Sequence, residues 1–235
     1  MPLLKATWVR PMFDAIAPRY DLLNRIISLG MDRSWRRAAV REALESRPGL
    51  VIDVGTGTGD LAFDLVNQNT VPMKVIGLDF SPAMLRIAWR RASSVDDPDL
   101  LRFVLSDALR LPLVNGVADV IVSAFVLRNL DSIPDAFSAM AGALRSGGRI
   151  VLLEMTPIRQ PIFRFVFRLY FRRWVPLLGR LISGHPDAYT WLPESVDGFI
   201  GVEELSQNLE VAGFREIRVR KLGRGSVAMH TATRV

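Results

Sequence analysis

Residues 50–60 read LVIDVGTGTGD, a short apolar run followed by glycines at 55, 57 and 59, with carboxylates at Asp53 and Asp60 on either side. An apolar run that meets closely spaced glycines is a buried strand passing into a tight turn, where the backbone can approach a ligand. From there onward the chain alternates short apolar runs with helical patterns, as a parallel βαβ sheet requires. Strands are expected over LVIDV (50–54), KVIGLD (74–79), LRFVL (101–105), ADVIVSAF (118–125) and RIVLLEM (149–155). Helices are expected from Asp60, from Ser81-Pro82 and over residues 134–144; Ser81 suits an N-cap and Pro82 the first helical turn. Residues 202–212 form a further expected helix closed by Gly213, and FREIRVRKL and SVAMHTA form a terminal antiparallel pair. Residues 8–47 read as helical from about Phe13, and residues 157–200 interrupt the alternation as a helical insertion. An insertion at that point lies over the carboxyl ends of the strands, where open α/β sheets bind ligands.

The glycine loop by itself admits a phosphate, a dinucleotide or a cation. Asp79, twenty residues after Gly59 at the end of the next strand, suits ribose hydroxyls and does not discriminate. Charge does. A pyrophosphate seeks the free N–H groups at a helix start, yet here Asp60 stands at that start and Asp53 flanks the loop. The pattern is also GxGxG, with neither the GxGxxG spacing nor a GK[ST] ending. Two carboxylates favour the ammonium and sulfonium of S-adenosylmethionine (SAM). Asp107, after the third strand, is placed to meet an adenine amino group, with Ala108 against the base. The expected cofactor set is Asp53, Gly55, Gly57, Gly59, Asp79, Asp107 and Ala108, with SAM as methyl donor and no metal.

Composition narrows the chemistry. The 235 residues contain no cysteine and two histidines, which removes thiolate nucleophiles and sites and disfavours a histidine metal site. No N-terminal stretch resembles a signal peptide and no apolar run is long enough to span a bilayer, so a cytoplasmic location is expected. The net charge is +6, but residues 155–186 alone hold six arginines and no acidic residue. Within 159–182, Arg164, Arg168 and Arg172 recur every four residues. Phe163, Phe165, Phe167, Leu169, Tyr170, Phe171 and Trp174 cover the other faces. An apolar helix with a basic edge and interfacial aromatics is suited to lie on a membrane; a lid packed on the sheet or a homodimer contact is the plainer reading.

The stretches MFDAIAPRYDLLNRIISLGMDRSWRR, DVGTGTGD, FVLRN, LRSGGRIVLLEM, DAYTWLPESV and GSVAMH together resemble the ubiquinone/menaquinone biosynthesis C-methyltransferase family, nearly end to end. The resemblance implies a Rossmann-like, seven-stranded class I methyltransferase sheet in one domain over 1–235, with residues 1–49 as an N-terminal helical cap and 157–200 as a lid. It places Thr58, Asp79, Asp107 and Ala108 in the SAM site and Tyr20, Arg128 and Asn129 beside the acceptor, as the catalytic set. It further implies a membrane-resident prenylated quinol as substrate and a protein peripheral at the inner face of the membrane. A cation such as Arg128 would stabilise the oxyanion of a quinol as it loses its proton. Glu154 and His230 receive no catalytic role. Three positions depart from the family pattern: Val126 replaces a glycine, Thr190 an arginine and Trp191 a tyrosine. Two other functions fit the residues less well: methylation of another lipid or small aromatic acceptor, and a non-catalytic SAM-binding module at a membrane surface. A nucleic-acid methyltransferase is disfavoured, since there is neither a cysteine nor a [DN]-P-P-[YF] motif after the fourth strand.

Overall fold

A computed structural model describes residues 5–68, 72–93, 95, 97, 99–158, 165, 167, 169–175 and 186–235. Helices α1 (Lys5–Ile16), α2 (Tyr20–Ile27) and α3 (Asp32–Leu44) precede strand β1 (Leu50–Val54). Then follow α4 (Asp60–Gln68), β2 (Lys74–Asp79), α5 (Pro82–Ala92), β3 (Leu101–Leu105), β4 (Ala118–Ala124), α6 (Ile133–Ala143) and β5 (Leu144–Met155). After a wide helical turn at Tyr170–Trp174 come α7 (Pro186–Asp197), α8 (Val202–Val211), β6 (Phe214–Leu222) and β7 (Val227–Arg234).

The seven strands are ordered β3-β2-β1-β4-β5-β7-β6. β1 to β5 run parallel, and β7 inserts antiparallel between β5 and β6. Alternation along each strand explains why both faces are covered. Val51, Val120, Val122, Val151 and Leu153 face α3, α4 and α5, joining Trp35, Leu61, Leu65 and Leu85. Ile52, Val54, Ile121, Ile150 and Leu152 face α6 and α8, joining Phe137, Met140, Leu205 and Leu209. A third apolar cluster unites Ile16, Leu23 and Ile27 of the N-terminal helices with Met84, Phe171, Val175 and Tyr189. The chain order reverses between β1 and β4, so the loops leaving their carboxyl ends part and open a crevice.

Several boundaries differ from the sequence expectation, three of them for reasons visible in the structure. α1 begins at Lys5, well before Phe13, and runs through Pro11; proline there marks no boundary because neighbouring elements hold the helix, with Val9 fully buried. β5 starts at Leu144, since Leu144 already pairs with Ala118 before a register shift brings Arg149 opposite Val120. β4 ends at Ala124, where Phe125 turns to φ 63°.

Candidate active site

The glycine loop leaves β1 at the crevice. Its shape is set from below by Asp53, which is 1% exposed and accepts from Thr56 Oγ1 at 2.7 Å. Desolvation raises the Asp53 carboxyl to about 7. From the side, Asp79 Oδ2 accepts from the Gly57 N–H at 2.8 Å, and its Oδ1 accepts from the Ser81 N–H at 2.8 Å. Burial pushes Asp79 up to about 6, against the pull of those backbone donors. Gly57 has φ +57°, and a Cβ there would meet only Tyr20 Cε1, at 4.0 Å, so its missing side chain leaves room above the loop. Gly55 has a different reason to be glycine, because a Cβ would lie 2.2 Å from Val126 Cγ2.

The N-terminal helices fasten this loop from above. Asp21 Oδ1 accepts from Thr58 Oγ1 at 2.7 Å. Asp14 Oδ1 accepts from Ser81 Oγ at 2.6 Å and from the Ala83 N–H at 3.1 Å, which places a carboxylate at the start of α5. Neither aspartate was among the expected site residues. Their partners lie 37 and 67 residues away, so no local pattern announces them.

Asp60 behaves differently from its sequence reading. It pairs with Arg36 at 3.0 Å and with Arg91 at 2.8 Å, and Arg36 also holds Asp32 and Asp64. Its carboxylate is therefore engaged by ion pairs within the protein. Since Asp53 lies buried under the loop, the carboxylates that line the crevice are Asp79, Asp107 and Asp131.

The crevice encloses a cavity of about 790 Å³. Tyr20, Gly55, Gly57, Asp79, Asp107, Ala108 and Asn129 line it, together with Arg10, Phe13 and Phe80. Asp53, Thr58 and Gly59 support the loop without appearing on the cavity wall. Asp107 is exposed and closes a turn by accepting from the Leu109 N–H at 2.9 Å. Among the described residues no group of three His, Cys, Asp or Glu side chains could hold a metal ion.

Opposite the glycine loop, the turn at Leu127–Asn129 follows β4. Phe125 stands in the left-handed region, uncommon for a non-glycine residue. Its carbonyl accepts from Arg128 Nη1 at 2.7 Å and from Asn129 Nδ2 at 3.4 Å. Arg128 is 8% exposed and does not line the cavity. Its Nη1 also meets Glu154 Oε1 at 2.6 Å, and its backbone N–H meets Glu154 Oε2 at 3.3 Å. Glu154, fully buried at the end of β5, is thus the partner that sequence reading missed. Burial pushes the Tyr20 phenol up, while the Asn24 hydrogen bond and the Arg128 charge pull it down. His230 lies buried with Nε2 3.2 Å from the Val202 carbonyl, on the α8 side of the sheet. Of the three departures, Val126 lines the cavity and Trp191 touches Asn129; the Thr190 side chain lies outside the described residues.

The strand order, the reversal at β1 and β4 and the glycine loop under a lined cavity define a class I SAM-dependent methyltransferase fold. A crystal structure of a SAM-dependent methyltransferase from Aquifex aeolicus superposes with a TM-score of 0.59 at 17% identity, over 83% of this chain and 89% of that one. The chain belongs to the ubiE/COQ5 methyltransferase family, whose model matches residues 1–234. It is 45% identical over 225 residues to the demethylmenaquinone methyltransferase of Deinococcus radiodurans, covering 96% of this chain and 92% of the relative. The enzyme of the same name from Thermus thermophilus is 44% identical, over 95% of this chain and all of the relative.

Proposed function

We propose that this methyltransferase transfers a methyl group from SAM to a ring carbon of a polyprenylated quinol, converting demethylmenaquinol to menaquinol. The observation that carries the acceptor is the near full-length similarity to demethylmenaquinone methyltransferases. The cavity supports it by joining a nucleoside-suited wall to a polar acceptor wall of Tyr20 and Asn129.

The residues fit SAM. The space above Gly57 admits a ligand against the backbone, Asp79 suits the ribose hydroxyls, and Asp107 with Ala108 suits the adenine. When bound, SAM supplies a methyl group on a sulfonium, and the electron pair of the broken S–CH3 bond stays on sulfur. The chain's part is to orient the acceptor and manage its proton. Loss of a hydroxyl proton from the quinol makes a ring carbon nucleophilic. That carbon forms the new C–C bond, and its own hydrogen then leaves as a proton to restore the aromatic ring. Tyr20 and Asn129 face the acceptor, while Arg128, neutralised by Glu154, holds the turn that carries Asn129 and biases Tyr20 electrostatically.

Access from a bilayer is supported by the segment around Tyr170–Trp174. Phe167 stacks on Phe171 at 4.1 Å and packs inward, while Phe165, Leu169 and Trp174 are 71%, 51% and 57% exposed. Tyr170 ties the segment to α2 through the Ile27 carbonyl at 3.3 Å. Arg172 pairs with Asp197 at 2.8 Å; Arg164 and Arg168 lie outside the described residues. No described helix is long and apolar enough to cross a membrane. In this reading the outward aromatics rest in a membrane surface while the cavity takes the quinol headgroup.

Methyl transfer from labelled SAM to short-tailed demethylnaphthoquinol and to the matching benzoquinol tests the acceptor. Rapid labelling of the naphthoquinol is expected. Tight SAM binding with no labelling of either would turn the assignment toward another acceptor or a non-catalytic module. For the membrane contact, sedimentation with anionic liposomes should drop on changing Phe165, Leu169 and Trp174 to serine. It should drop too on removing Arg164, Arg168 and Arg172. Unchanged sedimentation, with dimer formation lost instead, would identify the patch as a contact between copies.

A further inference from the structure

Three segments meet at one point beside the cavity. Trp191 of α7 donates its indole Nε1–H to Asn129 Oδ1 at 3.1 Å, and its ring meets Trp8 of α1 edge to face at 4.3 Å. On its other side, Asn129 Nδ2 lies 3.4 Å from the Phe125 carbonyl. An indole N–H can only donate and a backbone carbonyl can only accept. Both neighbours therefore demand the same orientation of the Asn129 amide, with its oxygen toward Trp191 and its NH2 toward Phe125. One of the two amide hydrogens is taken up by Phe125. The other is left for the cavity that Asn129 lines.

We infer that Trp191 is a positioning residue that fixes Asn129 as a hydrogen-bond donor toward the acceptor's ring oxygen. Asn129 then supports that oxygen as it gains negative charge, and it does not take the oxygen's proton. A tyrosine at position 191 could donate or accept and would leave the amide orientation to other neighbours. Tryptophan removes that freedom. The edge contact with Trp8 makes the same indole a bridge between α7 and α1, so the amide is set when both helices are in place.

The inference rests on the quinol reading of the cavity, and two measurements separate them. In the ¹⁵N-labelled protein, the Trp191 indole resonance, assigned by its loss in Trp191→Phe, should move upfield in Asn129→Ala and stay near its place in Asn129→Asp. An indole signal that ignores Asn129→Ala overturns the inference, whatever the protein methylates. With SAM and a short-tailed demethylnaphthoquinol, Trp191→Phe should lower kcat by about tenfold, the worth of one net hydrogen bond, with KM for SAM unchanged. Asn129→Asp, which keeps an acceptor for the indole but has no N–H to give, should lose at least as much. Wild-type kcat in either variant overturns the inference. A wild-type protein that methylates no quinol, with the indole shift intact, retires the quinol reading and leaves the amide orientation standing.

Discussion

Asp79 joins the glycine loop to the start of α5 with one side chain, and its carboxyl is raised to about 6. In its ionised form it accepts from Gly57 and Ser81 and can accept from a ribose; protonation weakens all three. SAM affinity is therefore expected to fall as pH drops through about 6, as read by titration calorimetry, and Asp79→Asn should flatten that dependence while binding more weakly throughout. The Arg128–Glu154 pair makes a different prediction. Arg128→Met leaves a buried carboxylate without its cation and should destabilise the fold by about 3–5 kcal/mol in urea unfolding. Adding Glu154→Leu should restore much of the stability without restoring activity. At this scale the sequence misleads where charge is read from nearest neighbours. Asp60 looks like a free carboxylate at a helix start because Arg36 and Arg91, which pair with it, are 24 and 31 positions away.

Elements were legible where their signal is local. The GxGxG turn, the Ser81-Pro82 helix start and the short apolar strands each follow from a few adjacent residues. Ser81 does accept from the Met84 N–H, at 3.2 Å. Contacts between elements were not legible, because Asp14 and Asp21 signal nothing until α1 and α2 meet the loops after β2 and β1. These two carboxylates tie the N-terminal helices to the loops beside the cavity. Asp14→Ala removes a carboxylate from the α5 start and a tether from α1. It should cost about 1–2 kcal/mol and hasten proteolytic cleavage within 1–31, and bound SAM should slow that cleavage. Wild-type cleavage in the variant would show that the tether does not hold α1.

Across the whole molecule, buried carboxylates shape the response to pH. Asp53 and Asp79 are raised from 3.8 to about 7 and about 6, so the folded chain holds protons there that the unfolded chain has released. Their contribution is fully present below about pH 3.8 and is lost as pH rises through 6 to 7. Asp32 and Asp119, held low by Ser28, Arg36 and Arg145 against their own desolvation, act in the opposite sense and lose their contribution only in stronger acid. Thermal melts of the ligand-free protein should show a lower Tm at pH 8 than at pH 5, and Asp53→Asn should reduce the difference.

The bridge from Trp8 to Trp191 also sets an order of events during synthesis. α1 leaves the ribosome before both of its partners, gaining its α5 contact only after Ser81 has emerged and its α7 contact only after Trp191 has. α1 is thus made well before it can be fully seated, and a chain truncated before α7 leaves α1 without one of its anchors.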